Sequence, residues 1–230
     1  RLDPSLTAFN SADFGRNAKK IMVDIDAAEI RKIKGIDLPV VCDAKQFVEK
    51  LEAENIKLTE QREWLAYCRK LKEKYPVVLP EYAKQAGGVN LYTFTDELFR
   101  QLNPGEGIVP ESSGAAGEVT YQAMTVKAGQ KIKNAAGLGS MGFGLPYSIG
   151  ACLANGRRRT VLINGDGAFQ MNIQELETVV RLKLPIKMFI WDNSGYGSIM
   201  TTQRNMFDGF YVGSEKGSGL TLPDVTKQAH

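Results

Sequence analysis

Asp166 and Asn193 are the two side chains whose types and spacing suggest chemistry. Asp166 sits within Gly165-Asp166-Gly167, and 25 residues separate Gly167 from Asn193. A carboxylate oxygen and an amide oxygen are hard ligands, suited to a small divalent cation such as magnesium. Magnesium keeps octahedral geometry and is ordinarily completed by phosphate and water oxygens. The backbone carbonyl of Gly195 offers a third protein oxygen. Gly165 and Gly167 place no side chain between backbone and ligand, so a diphosphate can come close. A lone GDG is more simply a tight turn, and a lone Asn193 a strand-end cap. The paired spacing is what favours a site.

The surrounding pattern predicts the elements that hold these residues. Thr160–Asn164 is a short apolar run, long enough for a buried strand and too short for a helix. Asn172 opens a helical pattern, with Glu175 three residues later as a capping box. Ile173, Leu176, Val179 and Val180 form its apolar face, and Leu184-Pro185 ends it. Ile186–Trp191 is a second buried strand. A strand–helix–strand unit of this kind places its strands parallel, with both C-terminal ends on one edge. Asp166 and Asn193 follow those two ends, where ligands of open α/β sheets bind.

A GDG followed about 25 residues later by Asn resembles the cofactor motif of thiamine-diphosphate-dependent enzymes. GDGAFQMNIQELETVVRLKLPIK, preceded by GLGSMGFGLPYSIGA, is similar to their acetolactate synthase-like branch, which decarboxylates and ligates 2-oxo acids. The resemblance covers most of the chain and is densest from about Ala135 to Asn193. It implies an α/β fold with a parallel sheet and helices on both faces, the thiamin diphosphate-binding fold. It implies thiamine diphosphate and Mg2+ as cofactors, with Asp166, Asn193 and Gly195 at the metal. Cofactor contacts would come from Ser112, Ser113, Gly114, Ala115, Gly139, Met141, Gly165, Asp166, Gly167, Ala168, Asn193, Gly195 and Tyr196. The cofactor itself carries the reaction, and the protein binds and orients it.

Two further stretches bear on that reading. Glu111–Gly117 reads as a loop of small residues whose successive N–H groups can form an anion nest. The family's matching loop contacts the diphosphate and often carries Gln and His, where this chain has Ala115 and Ala116. Gly137–Pro146 contains Gly137-x-Gly139-x-x-Gly142, which on its own matches a dinucleotide fingerprint. Gly129–Asn134 is too polar for the buried strand that fingerprint follows. The family reading instead turns the backbone of Gly139 and Met141 toward the aminopyrimidine ring. It makes Leu145–Ala154 a helix packed closely through Gly150, Ala151 and Ala154, with Cys152 in the core. Acetolactate synthases proper carry a tryptophan nine residues after the ligand Asn; that position here is Thr202. Arg204 is a candidate clamp for a substrate carboxylate.

The N-terminal part is organised differently. Residues 1–55 resemble the end of the central, Rossmann-like domain of the same enzymes. They read as a strand over Lys20–Asp26, a short helix over Ala27–Ile33, a strand at Val40–Cys42 and a helix with Phe47, Val48 and Leu51 inward. Asp24 and Asp26 read as strand-end caps. Arg1–Phe9 matches the family's FAD-contacting stretch poorly, so no FAD is expected. Residues 56–86 read as a helical linker, with Trp64, Leu65, Cys68 and Leu71 as an apolar stripe. Residues 87–230 form the cofactor-binding domain, which stops within a last helix begun at Leu222.

Composition narrows the classes. A 43% hydrophobic content supplies a core. A net charge of +3 gives no argument for nucleic acid or an anionic membrane, and no apolar run reaches spanning length. Cys42, Cys68 and Cys152 are odd in number and far apart, as in a reduced cytoplasmic protein. The single histidine, His230, leaves no histidine base or histidine metal site. The family's pyrimidine-activating glutamate lies in another domain, usually of the partner subunit. The expectation is therefore an inactive fragment of a protein that is a homodimer or homotetramer at full length and acts on a 2-oxo acid. Two other classes compete: a nucleotide-binding oxidoreductase domain using GLGSMG, and a non-catalytic assembly fragment.

Overall fold

The computed structural model describes residues 4–7, 10–56, 59–135 and 137–228. Most of the Arg1–Phe9 stretch considered for FAD, the start of the linker helix at Leu58, and Ala229 lie outside them. The chain divides into two compact units, Arg1–Lys70 and Leu71–His230.

In the first unit, β1 (Ile21–Asp24) pairs in parallel with β2 (Leu38–Val41), in the register Ile21↔Leu38 to Asp24↔Val41. Between them lies α1 (Ala27–Arg31), capped by Asp26, whose side chain accepts the Ala28 amide. After β2 comes α2 (Ala44–Ala53), capped by Asp43. Phe47 is half-buried as expected, but Val48 and Leu51 are exposed. A two-stranded sheet is too small to cover the whole apolar stripe of a helix. α3 (Arg62–Lys74) follows, and the boundary between the units falls within it. Its expected stripe is covered only at Cys68 and Leu71; Trp64 and Leu65 stay exposed.

The second unit carries the larger sheet. Its elements run α4 (Leu91–Gln101), β3 (Gly107–Pro110), α5 (Ala115–Ala123), β4 (Lys131–Ile132), α6 (Gly144–Ala154), β5 (Thr160–Gly165), α7 (Asp166–Gln170), α8 (Glu175–Arg181), β6 (Ile186–Trp191), α9 (Gly197–Met206) and α10 (Val225–Gln228). The strand order is β4-β3-β5-β6 and every pairing is parallel. Side-chain alternation sends β5 to two cores at once. Leu162 packs with Leu145, Ile149 and Cys152 of α6 and Val179 of α8. Val161 and Ile163 pack with Leu98 and Phe99 of α4 and Ala116 of α5. A strand buried on both faces reads as a continuous apolar run, as β5 does; β6, expected to be buried, is half-buried with Lys187 exposed, although its other residues pack against both cores. Both runs form the strands expected, and the fold is α/β with helices on both faces of a parallel sheet.

Several local readings change. No capping box forms at Asn172: α8 starts at Glu175, and its N-cap, Gln174, makes no side-chain cap. The Asn172 amide instead donates to the Gly142 carbonyl at 2.7 Å, and Glu175 accepts the Thr178 hydroxyl. Val180 is exposed, while Ile173, Leu176 and Val179 face the core. Gly129–Asn134 does contain a strand, the two-residue β4, tolerable there because it lies at the sheet edge. α6 packs closely through Gly144, Ser148 and Cys152, not through Gly150 and Ala154, which are exposed. A Cβ at Gly144 would fall 2.8 Å from Glu111 Oε2 and 2.9 Å from Leu162 Cδ1, whereas Gly150 has nothing within 4 Å.

Candidate functional site

A cavity of about 1040 Å³ opens at the C-terminal edge of β3, β5 and β6. At its floor β5 passes directly into α7, so Asp166 is the first residue of a helix and GDG is not a separate turn. Asp166 is buried. Its Oδ1 accepts the Gly167 amide at 2.8 Å and its Oδ2 accepts the Gly195 amide at 3.1 Å. Burial pushes its carboxyl above the ordinary carboxylate range, the Gly167 amide pulls it back, and the neighbouring Asp192 carboxyl pushes it up again.

The chain after β6 is bent to meet Asp166. Asp192 Oδ1 accepts the Ser194 amide at 2.8 Å and holds Ser194 at φ +59°. Positive φ is uncommon outside glycine, and such positions concentrate at functional sites. The bend carries the Gly195 N–H to two acceptors at once: Asp166 Oδ2, and Asn193 Oδ1 at 3.3 Å. The two side-chain oxygens singled out by spacing therefore converge on one point, although they come from different strand ends. Gly195 is also required by contact, since a Cβ there would fall 2.6 Å from the Ser214 carbonyl oxygen.

Of the expected site residues, Ser113, Gly114, Ala115, Gly139, Met141, Gly165, Asp166, Gly167, Ala168, Asn193, Gly195 and Tyr196 all line this cavity. Ser112 does not line it. It is buried, and its hydroxyl accepts the Ala135 amide at 2.9 Å. The expected small-residue loop is shorter than supposed, because α5 already begins at Ala115. Gly114 precedes it at φ +68°, ψ −169°, a conformation open to glycine. Tyr196 forms a wall over Gly167, where a Cβ would lie 2.4 Å from the ring. Thr202 lies apart: its hydroxyl donates to the Ser198 carbonyl, and it lines a small depression with Gln203 and Phe207. Its neighbour Thr201 is the one that reaches the cavity. Arg204 donates to the Tyr211 hydroxyl and does not line the cavity.

The structure adds residues that spacing did not single out. Asp192 and Glu118 line the cavity, and so do Leu91 and Phe94 of α4 and Trp191 of β6. Phe94 and Trp191 meet edge to face with ring centroids 5.9 Å apart. Asp192 immediately precedes Asn193 and reads from sequence as an ordinary strand-end residue. Only the geometry shows that it holds the Ser194 turn.

The arrangement fits a magnesium-bound diphosphate. The convergent donors are hard oxygens. The charged lining residues, Glu118, Asp166 and Asp192, are all acidic, so an anionic ligand needs a cation between it and this wall. Gly139 and Gly165 line the cavity and have nothing within 4 Å of a notional Cβ, so their backbone is open to a ligand.

Comparison with known proteins bears on the cofactor. The family model for the thiamine pyrophosphate enzyme, C-terminal TPP binding domain, matches residues 113–229, just over half of the chain. The acetolactate synthase large subunit of Cyanidium caldarium is 31% identical over 229 residues, covering 95% of this chain and 37% of that protein. The acetolactate synthase isozyme 1 large subunit of Escherichia coli (strain K12) is 30% identical over 230 residues, covering 94% of this chain and 40% of that protein. The large subunit of Lactococcus lactis subsp. lactis is 30% identical over 199 residues, covering 86% and 34% respectively. The chain thus spans a little more than a third of the length of these relatives. Among the described residues, no helix is long and apolar enough to cross a membrane. The chain belongs to the thiamine pyrophosphate enzymes, and residues 113–229 are its match to their C-terminal cofactor-binding domain.

Proposed function

We propose that the cavity binds thiamine diphosphate through a magnesium ion held by Asp166, Asn193 and the Gly195 carbonyl. The observation that carries this is the convergence of Asp166 Oδ2 and Asn193 Oδ1 on the single Gly195 amide. Backbone N–H groups at Ser113, Gly114 and Ala115 receive the diphosphate. Gly165, Gly167 and Ala168 form the floor and Tyr196 the wall. Gly139 and Met141 present backbone to the aminopyrimidine. When bound, the cofactor supplies the nucleophilic carbon that 2-oxo acid decarboxylation and carboligation require. The protein's own residues fix the diphosphate, neutralise its charge through the metal and exclude water along the Phe94–Trp191 side.

In the whole protein this site serves acetolactate synthase-like chemistry on a 2-oxo acid, within a homodimer or homotetramer in the cytoplasm. Residues 1–55 correspond to the end of a central domain, 56–86 to a linker and 87–230 to the cofactor-binding domain. The relatives' names support the reaction class, and the family match supports the cofactor.

Trp191 lines the cavity and provides the test. Titrating thiamine diphosphate with magnesium should quench tryptophan emission saturably, and Trp191→Phe should abolish the change. Quenching by a nicotinamide dinucleotide, with none from thiamine diphosphate, would refute the proposal and favour the oxidoreductase reading.

A further inference from the structure

Glu111 and Ser112 lie behind the cavity wall and line none of it, yet they are tied to both ends of a segment that does. Glu111 follows β3 and is 1% exposed. Its Oε1 accepts the Ser112 amide at 2.8 Å and its Oε2 accepts the Gly144 amide at 3.0 Å. The next side chain, Ser112, accepts the Ala135 amide at 2.9 Å through its hydroxyl. Ala135 and Gly144 bracket the Gly137–Phe143 stretch, which brings Gly139 and Met141 to the cavity. Adjacent side chains thus hold the two ends of one loop. The packing allows little slack: a Cβ at Gly144 would sit 2.8 Å from Glu111 Oε2, and one at Gly117 would sit 2.5 Å from the Glu111 carbonyl oxygen. The Asn164 amide lies beside the carboxyl and favours its ionised form, although its own Nδ2 and Oδ1 reach no partner at good hydrogen-bonding geometry.

A buried carboxylate is costly unless its hydrogen bonds are specific. These bonds reach 23 and 33 residues along the chain, to the two ends of one loop, and the segment they hold carries cavity backbone. We propose that Glu111 and Ser112 are positioning residues: together they fix the Gly137–Phe143 segment so that the backbone of Gly139 and Met141 is set for the ring portion of the ligand. This rests on the proposed thiamine diphosphate site, whose metal end, at Asp166 and Asn193, these two side chains do not contact.

The test separates the ring end from the diphosphate end. Affinities for thiamine diphosphate and for inorganic pyrophosphate, each with magnesium, are measured by calorimetry on the 230-residue chain, on Glu111→Gln and on Ser112→Ala. Ser112→Ala loses the bond to Ala135, and Glu111→Gln leaves one acceptor oxygen for the two amides that the carboxyl serves and sets an NH2 donor against the other, so thiamine diphosphate should bind about tenfold more weakly to each. Pyrophosphate, which lacks the ring, should bind within about twofold of wild type. Hydrogen exchange on the ligand-free chain provides a readout independent of the cofactor: amides of Leu138–Phe143 should exchange faster in both variants, with β5 and β6 unchanged. Equal losses for both ligands, or unaltered exchange in the segment, would overturn the positioning role. Failure of wild type to bind either ligand, with exchange altered as expected, would strike the proposed site and leave the anchoring itself standing. Ser112→Ala keeps the buried carboxyl and its partners, so the test survives if Glu111→Gln proves unstable.

Discussion

The Asp166 carboxylate accepts the Gly195 amide at 3.1 Å, joining the end of β5 to the turn after β6 across 29 residues of chain. That bond does two things. It ties the turn after β6 to the end of β5, and it brings Oδ2 and Asn193 Oδ1 to the same N–H. The side chain makes no contribution to either apolar core. Replacement should therefore separate binding from folding. Asp166→Ala should raise the Kd for thiamine diphosphate with magnesium by at least about 100-fold, roughly 2.7 kcal/mol. Its circular dichroism spectrum should match that of wild type. Wild-type affinity in this variant would remove Asp166 from the metal site.

Gly167 and Tyr196 give a second, steric prediction. An added Cβ at position 167 would overlap the ring, at 2.4 and 2.5 Å from two of its carbons. Gly167→Ala should push the ring into the cavity and weaken the cofactor about tenfold or more. Tyr196→Ala removes the obstacle, so the double variant should bind better than Gly167→Ala alone. A double-mutant cycle measures this coupling directly. Additive losses would mean that the ring and the glycine do not meet in the bound state.

Much of this architecture is legible in the sequence, for reasons that differ by element. β5 is buried on both faces and the half-buried β6 still faces both cores, so their apolar runs are nearly continuous, broken only at Lys187, and their ends are marked by Gly165 and Asp192. The spacing of Asp166 and Asn193 then followed from the strand–helix–strand unit. Helix starts were less legible. Asn172 and Glu175 have the types of a capping box, but the Asn172 side chain turns to donate to the Gly142 carbonyl, and its Oδ1 accepts from the Gln174 side chain and not from a helix amide. Small residues on α6 suggested close packing at Gly150 and Ala154. The contact falls instead on Gly144, because Glu111 and Leu162 reach it from elements far away in sequence. The roles of Asp192 and Ser112 depend on turn geometry and on a long-range hydrogen bond, neither of which has a local pattern.

Glu111 yields a pH prediction. Burial raises its carboxyl above the usual glutamate value, and the Ser112, Gly144 and Phe143 amides lower it only in part. An acid whose folded pKa is raised holds its proton more tightly when folded. Its contribution to stability is then fully present below about pH 4.3, the unfolded value, and is lost as pH rises through the raised folded value. The unfolding free energy of wild type minus that of Glu111→Gln, measured in urea from pH 4 upward, should decrease as pH increases. A difference that grows with pH would show that the hydrogen bonds outweigh burial.

The 230 residues by themselves should not turn over a 2-oxo acid. Asp166 and Asp192 lie at the proposed metal end of the cavity, and Glu118 is an exposed residue of α5. None is assigned to the pyrimidine. With saturating thiamine diphosphate and magnesium, carbon dioxide release from pyruvate should equal that of the free cofactor. Release above that rate would point to Glu118 as the activating carboxylate, to be checked by Glu118→Gln.

In the proposed site a magnesium ion on Asp166 and Asn193 carries the diphosphate of thiamine diphosphate into an acidic cavity. The most direct test is a calorimetric titration of the wild-type chain with thiamine diphosphate, once with magnesium and once with a chelator. Binding should be saturable with magnesium and undetectable without it, because the cavity's own charged lining is acidic. Equal affinity under both conditions would contradict the account.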